Sequence, residues 1–135
     1  MTHRQLIELA NKAREKAYAP YSGFAVGAAL LCADGSAVCG CNIENASFTP
    51  TCCAERVALF KAVSEGKRDF IAIAVSGGKA GEEPLEKCYP CGVCRQVLAE
   101  LCPPSLTVIF SDGSETTLEE LLPNAFSFET SRCSL

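Results

Sequence analysis

The pattern of helices and strands in this sequence predicts an α/β fold, a three-layer α/β/α sandwich around a five-stranded mixed sheet. Segments with helical apolar spacing alternate with short, nearly continuous apolar segments that are typical of buried strands. Two turns, at Asp34-Gly35 and Asp112-Gly113, each follow such a strand and indicate hairpins. The 135 residues suffice for one domain and are too few for two, so we expect a single domain over residues 1–135.

The first predicted element is an amphipathic helix. It begins at Thr2, which forms a capping box with Gln5 three residues later. Pro20 disfavours the helical conformation at Ala19, so we expect the helix to end by there. The apolar residues that share one face of this helix are Leu6, Leu9, Ala10, Ala13 and Ala17.

The next two elements form the first predicted hairpin. Phe24 to Leu31 is short and apolar, which is typical of a buried strand. The chain turns at the first Asp-Gly pair and returns as a strand from Val38 to Ile43. Gly40 within the returning strand indicates a bulge or a close approach of another backbone segment.

The middle of the chain predicts a buried helix and a central strand. Cys53 to Val63 carries apolar residues on nearly all sides, and Gly66 marks its C-terminal end. Phe70 to Val75 is a continuous apolar segment, as expected for a strand covered on both faces. A glycine-rich, acidic loop is predicted from Gly77 to Leu85.

The last third predicts a helix, two strands and a short final helix. Cys91 to Leu101 has helical spacing and is stopped by two consecutive prolines. Leu106 to Phe110 is an apolar strand, and the second Asp-Gly turn indicates a short antiparallel strand after it. Thr117 and Glu120 form a capping box for the final helix, which ends at Pro123.

Composition and charge narrow the classes of function. The net charge is −4, and lysine and arginine are scattered instead of forming a basic face. A nucleic-acid-binding protein usually has such a face, so we expect a small-molecule substrate and no nucleic-acid partner. Hydrophobic residues make up 48% of the chain, which leaves apolar surface on a small domain and favours an oligomer.

The ten cysteines predict metal-bound or reduced thiols in a cytoplasmic protein. The segment Met1 to Tyr18 is charged and amphipathic, unlike a secretory signal peptide. No apolar segment has the length of a membrane span, so no membrane partner is expected. Several thiols have no metal-ligand spacing and are more typical of small packed or exposed residues; these are Cys32, Cys39, Cys41, Cys102 and Cys133.

Three other cysteines have the spacing of a metal site. Cys91 and Cys94 are three residues apart at the start of one predicted helix, and Cys53 begins another. The positive end of a helix dipole favours thiolates. Three thiolates can hold a zinc ion and leave its fourth position open to water. The Cys91–Cys94 pair alone would equally fit a structural zinc knuckle or a redox pair.

Two further residues favour a catalytic site over a structural one. Glu55 lies two residues after Cys53 and is not needed as a ligand, so its carboxylate is available to take a proton from water. Arg56 lies one helical turn from Cys53 and can donate hydrogen bonds to its sulfur. The alternatives are an ordinary surface carboxylate for Glu55 and a surface ion pair for Arg56.

Cys-x-Glu followed by Pro-Cys-x-x-Cys is the three-cysteine form of the zinc nucleobase deaminase motif. With these motifs, the sequence resembles the small homotetrameric, three-cysteine, zinc-dependent cytidine deaminases almost from end to end. The matching segments are Tyr18-Ala19-Pro20-Tyr21-Ser22 with Phe24, Val26 to Leu30, Gly40 to Ala46, Cys53 to Arg56, Pro90 to Gln96, and Leu121 to Phe126.

The resemblance implies a reaction and the residues that carry it. It implies that Cys53, Cys91 and Cys94 ligate one zinc ion per subunit. Glu55 would take a proton from the water, protonate ring nitrogen N3 and later protonate the departing amine. The reaction would convert cytidine and 2′-deoxycytidine to uridine and 2′-deoxyuridine plus ammonia in pyrimidine salvage.

The resemblance also implies substrate contacts. Phe24 would form a wall against the base, Asn42 and Glu44 would bind ribose hydroxyls, and Ala54 would be a further contact. Phe126 would reach into the pocket of a neighbouring subunit in a homotetramer. Without the resemblance, Asn42 could be a plain turn residue, and both phenylalanines could be core residues.

Some alternatives stay open at this point. Cys52 precedes Cys53, and Cys88 has CxxC spacing to Cys91, so an exchange of ligands is conceivable. The same zinc chemistry could act on a related aminopyrimidine nucleoside such as blasticidin S. A further hypothesis is a zinc-stabilised interaction module that has no enzymatic activity.

Overall fold

The structure is a computed structural model that describes residues 1–128, and it has the predicted alternation of helices and strands. Cys133 and the end of the predicted domain, residues 129–135, lie outside the described residues. In chain order the elements are α1 (His3–Arg14), β1 (Phe24–Cys32), β2 (Ala37–Cys41), α2 (Ala54–Ser64), β3 (Phe70–Lys79), α3 (Gly92–Leu101), β4 (Thr107–Phe110), β5 (Glu115–Thr117) and α4 (Leu118–Leu121).

The five strands form one mixed sheet with the order β2-β1-β3-β4-β5. Strand β1 pairs antiparallel with both β2 and β3, so that Ala29 lies opposite Cys39 on one side and Ala74 on the other. Strand β3 pairs parallel with β4, which requires the crossover that α3 provides. Strand β5 returns antiparallel beside β4. The predicted five-stranded mixed sheet is therefore confirmed.

Helix α1 covers one face of the sheet. The predicted capping box is present, with hydrogen bonds from Gln5 N to Thr2 Oγ1 (3.1 Å) and from Thr2 N to Gln5 Oε1 (2.8 Å). Leu6 and Ala10 are fully buried against the sheet. A Cβ atom on Gly27 of β1 would lie 2.1 Å from the Ala10 carbonyl oxygen, so this contact of helix and strand requires glycine.

Helices α2, α3 and α4 cover the other face, which completes the three layers. Their buried side chains form one apolar cluster with the sheet, including Leu59, Leu98 and Leu118. At Gly40 of β2, a Cβ atom would lie 2.5 Å from the backbone nitrogen of Ala58. The predicted close backbone approach at Gly40 is therefore confirmed, and its partner is α2.

Both predicted Asp-Gly turns connect adjacent antiparallel strands. Asp34 Oδ1 accepts a hydrogen bond from Ser36 N (2.9 Å), and Asp112 Oδ1 accepts one from Ser114 N (2.9 Å). Each glycine has a positive φ, +89° at Gly35 and +86° in the second turn. No helix within residues 1–128 is both long enough and apolar enough to cross a membrane.

Two element ends differ from the prediction because Tyr18 and Ile43 pair with each other. Helix α1 ends at Arg14, so Ala17 of its predicted apolar face lies beyond the helix, and Tyr18 forms a parallel bridge with Ile43. Strand β2 ends at Cys41, because Ile43 is recruited into this bridge and a second one with Cys52. These bridges join the connection between α1 and β1 to both ends of the connection between β2 and α2, beside the start of α2.

Two predictions about the middle of the chain were wrong. Strand β3 continues to Lys79 through part of the predicted loop, because Gly77 and Gly78 pair with the start of β1. Helix α2 is not buried all round, since Phe60 is 48% exposed. Its buried side is made largely of alanines, which lets the helix approach β2 closely.

Candidate metal centre and active site

Three cysteine sulfur atoms lie together where two helices begin. Cys53 is the N-cap residue of α2, and Cys91 is the N-cap residue of α3, on whose first turn Cys94 lies. The Sγ atoms of Cys53, Cys91 and Cys94 all lie within 4.8 Å of one another. The Sγ atoms of Cys53 and Cys91 are 3.9 Å apart. Sulfur atoms at these separations can share one tetrahedral zinc ion.

Local structure explains why these sulfurs point to one place. The N-cap residue of a helix directs its side chain back toward the first backbone N–H groups. The Cys91 sulfur accepts a hydrogen bond from Cys94 N (3.5 Å) in this way. Helices α2 and α3 pack on the same face of the sheet with their N-terminal ends adjacent. Two helix dipoles therefore stabilise negative charge on the sulfur cluster.

The electrostatics of the cluster favour a thiolate. A hydrogen bond from Cys94, together with Arg56, holds the pKa of Cys53 well below its usual value, although burial opposes the shift. The same hydrogen bond raises the pKa of Cys94, which keeps its proton. A soft thiolate already present at neutral pH, with two more thiols beside it, is a donor set that fits zinc.

Glu55 lies against the sulfur cluster and is only 4% exposed. Burial, with a smaller contribution from the negative charge of Cys53, raises the pKa of its carboxyl to about 7. Arg56 and a hydrogen bond with Cys94 partly oppose this shift. The interpretation of Glu55 as an ordinary surface carboxylate is therefore wrong. A carboxyl whose pKa is near neutrality can both accept and release a proton.

Arg56 contacts the cluster directly. Its Nη2 donates to Cys53 Sγ at 3.3 Å and to the Thr51 carbonyl oxygen at 3.4 Å. The guanidinium is thus fixed between the loop before α2 and the sulfur atom. The predicted hydrogen bond to sulfur is present, and a surface ion pair for Arg56 is not among the contacts of the described residues.

Asn42 lies beside the start of β1 and is only 8% exposed. Its Nδ2 donates to the Phe24 carbonyl oxygen (2.8 Å), and its Oδ1 accepts from Val26 N (2.9 Å). The side chain therefore replaces a pair of strand hydrogen bonds at the end of β2. Each amide atom retains capacity for one further hydrogen bond.

Glu44 lies two residues after Asn42, in the connection that follows β2. Its carboxylate accepts hydrogen bonds from Tyr21 N (2.9 Å), Ser22 N (3.1 Å) and Ser22 Oγ (2.5 Å). The Ser22 hydroxyl is the main cause that lowers the pKa of Glu44. The carboxylate faces a surface cavity of about 270 Å³, whose lining residues are Tyr21, Ser22, Glu44, Asn45, Phe48 and Thr51.

The remaining predicted contact residues occupy different surroundings. Phe24 is partly exposed at the start of β1, next to Asn42. Ala54 is fully buried at the start of α2, where its backbone N–H is among those that the helix itself leaves unpaired. Phe126 is 63% exposed, so it is not the core residue that its apolar side chain alone would predict.

Cys52 and Cys88 lie outside the cluster of three sulfurs within residues 1–128. Cys52 exchanges two backbone hydrogen bonds with Ile43, each of 2.9 Å. Cys88 packs against Gly77, where a Cβ atom would lie 2.5 Å from its sulfur. Burial raises the pKa of both thiols, that of Cys88 to about 11. An exchange of ligands with either residue does not fit this geometry.

Sequence reasoning missed two residues that support the site. Arg95 donates from Nε to the Pro90 carbonyl oxygen (2.8 Å), directly before Cys91, and from Nη1 to the Leu121 carbonyl oxygen (2.8 Å). Gln96 donates from Nε2 to the Phe126 carbonyl oxygen (2.9 Å). Their acceptors are backbone atoms of other segments, so no side-chain pattern in the sequence could have indicated them.

An open three-cysteine site with an adjacent buried carboxyl, at the helix starts of an α/β/α sandwich, defines the class of zinc-dependent nucleobase deaminases. The model of the family described as cytidine and deoxycytidylate deaminase zinc-binding region matches residues 1–110. The chain belongs to the cytidine deaminase family, and it is an enzyme. The alternative of a zinc-stabilised interaction module is thereby set aside.

Individual relatives agree with this assignment. The chain is 54% identical to a cytidine deaminase from Halalkalibacterium halodurans over 133 residues, which cover 96% of this chain and 97% of that protein. A crystal structure of cytidine deaminase from Burkholderia pseudomallei superposes with a TM-score of 0.84 at 52% identity, covering 93% of this chain and 100% of that chain. A blasticidin-S deaminase from Bacillus cereus is a more distant relative, 32% identical over 89% of this chain and 91% of that protein.

Proposed function

We propose that this protein hydrolyses cytidine and 2′-deoxycytidine to uridine and 2′-deoxyuridine with release of ammonia, as a step of pyrimidine salvage. The observation that carries the proposal is the placement of the buried Glu55 carboxyl against the sulfur cluster of Cys53, Cys91 and Cys94. Relatives named cytidine deaminase, one of them 54% identical over nearly the full chain, support the choice of substrate.

Cys53, Cys91 and Cys94 would hold one zinc ion per subunit. When bound, zinc would lower the pKa of a water molecule and so supply a nucleophile at neutral pH. Arg56 offsets part of the negative charge of the thiolates through its hydrogen bond to Cys53. The two helix N-termini act in the same direction.

Glu55 is proposed as the residue that moves the protons. Its carboxylate accepts a proton from water and delivers it to N3 of the cytosine ring, which makes C4 more electrophilic. After the oxygen has added to C4, Glu55 takes the remaining proton from this oxygen and passes it to the amino group, which leaves as ammonia. A pKa near neutrality suits a group that must first accept and then donate.

Substrate binding is assigned to residues at the start of β1, after the end of β2 and at the start of α2. Phe24 would pack against the base, and the Ala54 backbone N–H would donate to it. Asn42 and Glu44 would bind the ribose hydroxyls, each with hydrogen-bonding capacity left after the contacts described above. Phe126 would complete the pocket of a neighbouring subunit, which its exposure on the described chain supports.

The proposed assembly is a homotetramer located in the cytoplasm. Several large apolar side chains are exposed on the described chain, as on a subunit of an oligomer. The cysteines of the described residues are free thiols, which suits a reducing compartment. We further propose that residues 1–135 form one domain, because the strands of the described chain belong to one sheet.

The decisive experiment measures ultraviolet absorbance during incubation with cytidine or 2′-deoxycytidine, with zinc content determined on the same sample. We expect conversion of both nucleosides, and loss of conversion with zinc retained in Glu55→Gln. A zinc-loaded protein that converts neither nucleoside would overturn the proposal. Light scattering should give about four times the chain mass of 14.3 kDa, and a monomeric mass would contradict the tetramer.

The alternative substrate, blasticidin S or a related aminopyrimidine nucleoside, has weaker support. The relative that carries that name is 32% identical, against 54% for the cytidine deaminase. Including blasticidin S in the same assay separates the two, because we expect cytidine to be converted with the higher kcat/KM.

A further inference from the structure

Helix α3 is connected to the C-terminal part of the described chain by two neighbouring side chains. Arg95 Nη1 donates to the Leu121 carbonyl oxygen at 2.8 Å, which fixes the end of α4. Gln96 Nε2 donates to the Phe126 carbonyl oxygen at 2.9 Å. Arg95 also donates from Nε to the carbonyl oxygen of Pro90, the residue before the proposed ligand Cys91. One helix therefore holds both the metal-ligand loop and the segment that carries Phe126.

The helix geometry separates these two tasks. Successive residues of an α-helix are rotated by about 100°, so Gln96 projects roughly opposite to Cys94, two positions earlier. Cys94 is buried toward the sulfur cluster, whereas Gln96 is half-buried and faces the C-terminal segment. A displacement of α3 would thus move a metal ligand on one side and the Phe126 backbone on the other.

The Phe126 side chain has little packing of its own to hold it. The residue is 63% exposed, and its ring contacts the ring of Phe128, a residue that is 72% exposed, at a centroid distance of 5.5 Å. Neither ring belongs to the apolar clusters on the two faces of the sheet. The hydrogen bond from Gln96 is therefore a fixed attachment of Phe126 to a helix of the core.

We propose that Gln96 is a positioning residue that holds Phe126 ready to enter the substrate pocket of a neighbouring subunit, with Arg95 fixing the end of α4 beside it. The inference rests on the proposed function, in which Phe126 completes a neighbouring pocket in a homotetramer. Its consequence is that substrate binding in one subunit depends on helix α3 of another. Gln96 touches neither the substrate nor the metal, and it acts only through Phe126.

The first test replaces the donor in two ways. Gln96→Leu removes the polar group, and Gln96→Glu keeps the shape but loses the donor. Loss of one hydrogen bond that positions a binding group should raise KM for cytidine about two- to tenfold in both variants, with kcat and zinc content unchanged. In a Phe126→Ala background, Gln96→Leu should have no further effect. Glu100→Gln, an exposed position of α3, is the matched control and should leave KM unchanged.

The second test asks which subunit is affected. Mixed oligomers are prepared from Gln96→Leu chains and Glu55→Gln chains, so that every active pocket belongs to a Gln96→Leu chain but can receive Phe126 from an intact neighbour. We expect KM to return toward the wild-type value. A KM that stays at the value of the pure Gln96→Leu oligomer would show that the residue acts within its own subunit and would overturn the inference.

These results separate the inference from the proposed function. A chain that is monomeric or inactive on cytidine overturns the proposed function and this inference with it. A raised KM for Phe126→Ala beside an unchanged KM for Gln96→Leu and Gln96→Glu overturns this inference alone.

Discussion

Arg56 Nη2 donates a hydrogen bond of 3.3 Å to the Sγ atom of Cys53. The same nitrogen contacts the Thr51 carbonyl oxygen, so the guanidinium is oriented by the backbone before α2 and not by the sulfur alone. A fixed cation beside a thiolate stabilises the ionised sulfur that a metal requires. Arg56 therefore adjusts the charge of the site without binding the metal.

Replacing Arg56 with glutamine should weaken zinc binding. The variant loses the charged donor to Cys53, and loss of such a contact beside a metal ligand typically lowers metal affinity by about 10- to 100-fold. The measurement is competition for zinc with a chromophoric chelator at neutral pH. Arg4→Gln is the matched control, because Arg4 is exposed and pairs with Glu8 on the surface of α1. Equal zinc affinities of the two variants would contradict the role of Arg56.

Single cysteine-to-serine variants should separate the zinc ligands from their neighbours. The measured quantity is the number of zinc ions per chain after dialysis, determined by elemental mass spectrometry. It should fall well below one for the variants of Cys53, Cys91 and Cys94, whose sulfurs form the cluster. It should stay near one for Cys52→Ser and Cys88→Ser. Loss of zinc in Cys88→Ser, with retention in Cys91→Ser, would reverse the ligand assignment.

The buried Glu55 should make the stability of the metal-free protein depend on pH. Burial raises the pKa of this carboxyl from 4.5 to about 7, so between these values the folded chain holds a proton that the unfolded chain has released. The free energy of unfolding therefore falls as pH rises through this window, by about 3 kcal/mol in total. Above pH 7 both states are ionised and the loss is complete.

The difference between wild type and Glu55→Gln removes the contributions of titrating groups that do not interact with Glu55. Urea unfolding at several pH values from about 4.5 to 7.5 should show the wild type losing stability relative to the variant. The two apolar clusters do not involve the metal, so we expect metal-free protein to remain folded. A difference that is constant, or that rises with pH, would be incompatible with a buried neutral carboxyl.

Much of the fold could be predicted because its signals are local. The capping box at Thr2, the turn at Gly35 and the apolar segment of β3 each depend on a few consecutive residues. The proposed metal ligands were predictable for the same reason, since the spacing of Cys91 and Cys94 fixes them on one turn of a helix.

The features that sequence reasoning missed depend on contacts between distant segments. Strand β3 extends to Lys79 because Gly77 and Gly78 pair with Val26 and Ala25 of β1. Strand β2 ends early because Ile43 pairs with Tyr18 and Cys52, while the Asn42 side chain takes over the hydrogen bonds to β1. Neither pairing can be identified from the sequence before the order of the strands in the sheet is known.

Asn42→Asp should destabilise the fold. The aspartate places an oxygen against the Phe24 carbonyl oxygen, where Nδ2 now donates, and it brings a charge to a position that is 8% exposed. We expect a loss of about 2–4 kcal/mol in the free energy of unfolding at neutral pH. The loss should shrink at acidic pH, where a protonated carboxyl can donate.

Asn45→Asp is the matched control for this substitution. Asn45 is exposed, and its Oδ1 accepts a hydrogen bond from Ser47 N (2.9 Å), which a carboxylate can accept equally well. Its unfolding free energy should stay within about 0.5 kcal/mol of the wild type. If both variants lost the same stability, the contact between Asn42 and β1 would not contribute to the fold.

Gly40→Ala should damage both the fold and the metal centre. A Cβ atom at Gly40 would lie 2.5 Å from Ala58 N and 2.7 Å from the Ala54 carbonyl oxygen, so α2 must move away from β2. Overpacking of this kind costs about 1–3 kcal/mol or more. Because Cys53 is the N-cap residue of α2, the displacement should also lower zinc affinity. Chemical unfolding and chelator competition measure the two effects.

Gly92→Ala provides the contrast for Gly40→Ala. Gly92 is the first residue of α3, and a Cβ atom there would meet nothing within 4 Å. Alanine should therefore leave stability unchanged or raise it by up to about 1 kcal/mol, since it lowers the entropy of the unfolded chain. A Gly40→Ala variant as stable as Gly92→Ala would mean that α2 can move away from β2 without lowering the free energy of unfolding. The close contact at Gly40 would then not be what fixes Cys53 beside Cys91.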